Sequence, residues 1–162
     1  MAESVFLCVA PPDGFTAWGP GEWERWLGEH LWESTERIAE RAEWSTFLYQ
    51  LRDHAGKAGA LLEPFVGDLV AQRPIGQRRA EELREAFAAV RDAVKAVPAT
   101  ALKARAGQFY SAADVDARIA ALQATGVKDP SVADLWATLF DTIDRILAGA
   151  TKQQRGVYFG EV

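Results

Sequence analysis

The chain has 162 residues, 49% hydrophobic and 25% charged, with a formal net charge of -5, which fits one globular domain and would leave two domains short of core. Its single Cys8 excludes an internal disulfide and any CxxC pair for metal or redox work, and no run approaches the roughly 18 apolar residues of a membrane helix. Residues 1–71 hold 5 basic and 12 acidic side chains and residues 72–128 hold 10 and 6, so the acidic front half argues against nucleic acid, whose phosphates need a cationic footprint.

Met1-Ala2-Glu3-Ser4 lacks a basic n-region, and the apolar stretch that follows is too short for a signal-peptide core, so a cytoplasmic location is expected. That stretch, SVFLCVA from Ser4 to Ala10, reads as a buried strand that stops at Pro11-Pro12-Asp13-Gly14. Near the other end, Val157-Tyr158-Phe159 between Gly156 and Gly160 reads as a second strand. An isolated strand leaves its ladder groups unpaired, so the two pair with each other or with a short strand between them. The expected fold is α+β: a mostly helical single domain with a small sheet formed by the N- and C-terminal strands.

Helix follows helix between these strands. From Pro20 to about Ala42, Trp23, Trp26, Leu27, Leu31 and Ile38 share one face at 3.6-residue spacing. Trp44, Phe47, Leu48, Leu51 and Ala55 mark a second helix that stops at Gly56. Short turns of helix and loop are expected over residues 56–76, which are rich in Gly and Pro. A long helix then runs from Gly76 to Val97 and ends before Pro98. A short helix around Ala101 to Ala106 and a connector, Gly107-Gln108-Phe109-Tyr110, come next. Ser111 with Asp114, and Ser131 with Asp134, are capping boxes that open two further helices, the second a core helix through Ala148.

Catalytic motifs are missing from the sequence. With two His and one Cys there is no zinc pattern, and GxGxxG, GxxxxGK[ST] and GxSxG do not occur, so no metal, cofactor or catalytic residue is assigned. Asp53-His54 is the best acid-base pair, but adjacent helical residues point about 100° apart; His54 reads as a helix-terminal residue favoured by the dipole. Arg84, Arg91 and Lys95 flank the apolar stripe of the long helix and read as snorkelling side chains in preference to a ligand clamp.

Five of the six tryptophans, Trp18, Trp23, Trp26, Trp32 and Trp44, fall in the first 44 residues. On the wheel of the first long helix Trp32 lies opposite the apolar arc and faces outward among Glu22, Arg25, Glu29, Glu33, Glu36 and Glu40. Glu29/Glu33 and Glu36/Glu40 are like-charge i, i+4 pairs that cost the helix a few tenths of a kcal/mol each. A strip that repels itself, with a Trp at its centre, suits a basic protein partner. The bland alternative is that another segment covers Trp32 and the glutamates only solvate the helix.

The opening strand Val5-Phe6-Leu7 and the helix that begins with Trp44 and reaches Leu51 form part of a wider pattern. It continues in the helix after Pro74-Ile75-Gly76, which leads through Pro98 to Leu102-Lys103-Ala104-Arg105, and in the last long helix, which feeds Val157-Tyr158-Phe159. That order of elements, spanning most of the chain, resembles the YfbM-like family of small bacterial proteins, a domain family of unknown function. The resemblance implies an α+β fold. Ser45 and Thr46 follow Trp44 where the family tends to carry a His, so no functional residue carries over.

Small size, acidity and the lack of catalytic motifs lead to one expectation, a non-enzymatic interaction protein of the immunity or antitoxin type. It would bind a basic partner through Trp32, Arg25 and the surrounding glutamates. The runner-up is a small-molecule-binding or hydrolytic protein with a pocket lined by Trp18, Trp23, Trp26, His30 and His54. A homodimer pairing through its terminal strands is compatible with either.

Overall fold

The computed structural model describes residues 4–9, 18–34, 36–105 and 111–161; the turn at Pro11 to Gly14 and the connector at Gly107 to Tyr110 lie outside the described residues. In chain order the elements are β1 (Ser4–Val9), α1 (Pro20–Ser34), β2 (Glu36–Glu40), α2 (Arg41–His54), α3 (Gly59–Val70), α4 (Gln77–Val94), α5 (Ala112–Ala124), α6 (Val132–Leu135), α7 (Ala137–Lys152) and β3 (Val157–Glu161). Short 3-10 segments at Gly56–Ala58 and Ala99–Arg105 complete them. The fold is a mostly helical α+β arrangement, as the alternation of apolar patterns predicts.

The terminal strands pair antiparallel, from Val5 opposite Glu161 to Val9 opposite Val157. The sheet has three strands in the order β2-β1-β3, and the third is a correction to the sequence reading. Residues 36–40 are not the end of the first helix, which stops at Ser34; they pair antiparallel with β1 across a bulge between Val5 and Phe6. The reason is long-range: β1 in the middle would otherwise leave one edge of ladder groups unpaired. The segment ERIAE, with β-branched Ile38, fills that edge and buries Ala39.

The buried side chains of α2 to α7 and of β3 form one core cluster. Phe47, fully buried, sits at its centre with ring centroids 5.3 Å from Trp136, 5.3 Å from Phe140, 5.9 Å from Trp44 and 6.1 Å from Phe87. Trp44 stacks on Phe159 at 5.2 Å, fixing β3 on α2, and its Nε1–H donates to the Leu69 carbonyl at 3.2 Å, fixing α3.

Residues 56–76, expected to hold short turns of helix and loop, contain a continuous helix, α3, with Pro64 inside it. Burying Leu62, Phe65, Val66 and Leu69 outweighs the one hydrogen bond Pro64 removes. The helix expected from Ser131 through Ala148 is broken at Trp136, whose φ of -106° and ψ of 15° separate α6 from α7. There the Trp136 indole donates to buried Gln50 Oε1 at 3.1 Å, a contact that a continuous helix need not satisfy. Both capping boxes are present: Ser111 and Ser131 accept from the backbone N–H of Asp114 and Asp134, which bond back.

α3 and α7 end alike. Gln72 (φ 56°) and Gln154 (φ 55°) take the left-handed conformation, and six-to-one bonds follow from Arg73 N–H to Asp68 O and from Arg155 N–H to Ala150 O, both 2.9 Å. These are Schellman-type stops with Gln where Gly is usual.

Candidate functional site

Helix α1 carries the acidic surface. Its sequence PGEWERWLGEHLWES holds four carboxylates and one guanidinium, with Glu22 in the first turn, where the helix dipole favours an anion, and no cation in the last. Glu22, Glu24, Arg25 and Glu29 are exposed, whereas Trp26 and His30 are half-buried. Those two stack at 4.8 Å with 12° between the rings, and His30 Nδ1 lies 3.0 Å from the Trp26 carbonyl oxygen. α1 packs on β1, and none of its described side chains joins the core cluster. The side chains of Trp23, Trp32 and Glu33 lie outside the described residues, although all three backbones belong to α1.

Glu36 and Glu40 do not share a helical face with Glu29. Both are on β2, so their like-charge helical pairing does not exist. Glu36 turns to α7, where Arg145 Nη1 donates to Oε2 at 2.9 Å and Nη2 to Oε1. This fork holds the Arg145 pKa above its ordinary value through hydrogen bonding and charge. Glu40 is exposed at the N-cap of α2 without a side-chain cap bond. Nothing local marks Arg145, 109 residues from Glu36, so sequence reasoning missed it.

Of the alternative pocket residues, the structure brings Trp26 and His30 together. Trp18 is exposed just before α1. His54 is half-buried at the end of α2, which packs on α3, α4 and the sheet. The neighbouring Asp53 accepts from Arg52 Nε at 3.2 Å, and Arg52 also lies 3.7 Å from Glu63.

Among the described residues, no group of three or more His, Cys, Asp or Glu side chains gathers as a metal site, and no helix is long and apolar enough to cross a membrane. No protein-family model, no curated protein and no solved structure matches this chain.

Proposed function

We propose that this protein is a non-enzymatic, cytoplasmic interaction module of the immunity or antitoxin type, and that α1 docks against a basic protein surface. One observation carries the reading: Glu22, Glu24 and Glu29 are exposed on a helix with a single cation that gives no described side chain to the core. Beyond its contact with β1, such a helix holds these carboxylates in water, where it can offer them to a partner. Its charge speeds encounter with a cationic surface, and an aromatic anchor supplies the affinity. Trp32, three residues beyond Glu29 and so about one turn along, is the proposed anchor. Glu36 leaves the set because Arg145 engages it. Kinship with the YfbM-like family belongs to the same proposal and adds no functional residue.

The test is affinity for a partner recovered by cross-linking in the source cells. Trp32→Ala should weaken it by about 30-fold, the ~2 kcal/mol of a hot spot, and reversal of Glu22 and Glu29 to Lys should remove its salt dependence. Equal binding by all variants overturns the reading. A second reading, a pocket lined by Trp18, Trp26 and His30, has the Trp26–His30 stack in its favour; saturable quenching of Trp fluorescence by a small aromatic cation, lost in His30→Ala and Trp26→Leu, would support it.

A further inference from the structure

Helix α5 is held more lightly than the other long helices of the core. It buries only Val115 and Ile119, with Leu122 partly buried beside them, whereas α2, α3, α4 and α7 each bury five or six residues. Its main neighbours are short elements, the 3-10 segment Ala99–Arg105 and α6. Its caps are its own. Ser111 and Asp114 close the N-terminus, and at the other end Val127 N–H donates to the Leu122 carbonyl at 3.2 Å around Gly126, whose φ is 101°. Among the described residues, the backbone hydrogen bonds of 111–127 stay within that stretch. The chain is pinned again at Pro130, whose carbonyl accepts from Ala99 N–H at 2.9 Å, and at Val132, whose N–H donates to the Val97 carbonyl at 2.8 Å.

Two ion pairs tie α5 down. Asp116 meets Lys103 of the 3-10 segment at 2.8 Å, with side chains 57% and 39% exposed. Arg118 reaches further, to α2: its Nη2 donates to Glu43 Oε1 at 2.9 Å, across 75 residues of chain. Its guanidinium also lies over the Trp136 ring, 4.6 Å from the centroid. At 37% and 33% exposure the Arg118–Glu43 pair is better shielded from solvent than the Asp116–Lys103 pair. Trp136 is 1% exposed, so Arg118 is part of its cover.

We propose that α5 is a latched flap: residues 111–127 detach as a unit while the core stays folded, the Arg118–Glu43 pair is the latch, and detachment bares the Trp136 ring face that Arg118 covers. Opening gives up the burial of Val115 and Ile119 and two ion pairs, far less than unfolding the core that holds Phe47. A helix of 13 residues is marginal by itself in water, so the detached segment loses its helical hydrogen bonds and its amides open to solvent.

The experiment is native-state hydrogen exchange of the intact chain, read amide by amide at rising guanidinium concentrations below the unfolding transition. The α5 amides are expected to exchange at least about tenfold faster than the slowest amides of α4 and α7, with a weaker dependence on denaturant because less surface is exposed. Glu43→Gln should speed α5 exchange about three- to fivefold. Its loss of charge in the first turn of α2 weakens α2 in the closed and open states alike, so only a broken latch moves α5. Ile143→Val, in the core stripe of α7, should speed the slow amides of α4 and α7 about two- to tenfold and leave α5 unchanged. The proposal is overturned if α5 shares the rates and denaturant dependence of α4 and α7, if Ile143→Val speeds α5 as well, or if Glu43→Gln leaves α5 exchange as it was.

Discussion

Ile75 and Val157 exchange both of their backbone hydrogen bonds, each 2.8 Å, across 82 residues of chain. Each residue follows a helix that ends with a left-handed Gln three positions earlier, Gln72 before Ile75 and Gln154 before Val157. Two matched helix exits therefore meet back to back and deliver β3 to the sheet. The contact is close enough that a β-carbon on Gly156 would overlap the Ile75 carbonyl.

Gly156→Ala should accordingly push the two exits apart. Overpacking costs about 1–3 kcal/mol, and two buried backbone bonds are strained with it. We expect a loss of about 2 kcal/mol or more in urea unfolding, while Gly149→Ala, whose β-carbon meets no atom within 4 Å, should be neutral or stabilising. Equal effects at the two positions would contradict the close approach.

Trp136 and Gln50 make the second test. Trp136→Phe leaves Gln50 Oε1 buried at a residue only 8% exposed and without its indole donor, at a cost of about 1–3 kcal/mol. Adding Gln50→Leu removes the orphaned acceptor, so the double variant should recover part of the loss. A double-mutant cycle with no coupling would show that the bond contributes nothing.

Asp114 sets an acid limit on α5. Its carboxyl is held below the ordinary aspartate range, first by the Ser111 backbone N–H and then by the Ser111 hydroxyl. A depressed folded pKa means that the cap contributes in full above the unfolded aspartate value and is lost as pH falls through the folded one. Carbon NMR of the Asp114 carboxyl should give a midpoint below that of the unfolded chain, and Ser111→Ala should move it upward. A midpoint unchanged by that substitution would contradict the capping box.

Local chemistry was legible in the sequence, and long-range demand was not. Ser111 with Asp114, and Ser131 with Asp134, need only residues three apart to be read as caps, and the apolar runs at the two chain ends read correctly as paired strands. β2 was missed because its pairing depends on the free edge of β1, some thirty residues away in the chain, which overrode a fair helical period. The continuity of α3, expected only as short turns of helix, was not legible because Pro64 and the flanking glycines are strong local breakers, while the core that buries Leu62 and Leu69 is not local. The acidic side of α1 follows from the wheel alone as far as Glu22, Arg25 and Glu29. Beyond Ser34 the wheel has no meaning, and Glu36 and Glu40 fall away from the proposed site for that reason.

The most direct measurement of the central proposal is amide hydrogen exchange of the chain alone and with its cross-linked partner bound. Protection gained in α1, residues 20–34, with exchange along α5 unchanged, is the predicted result. Unchanged exchange in α1 together with new protection on another element would contradict it.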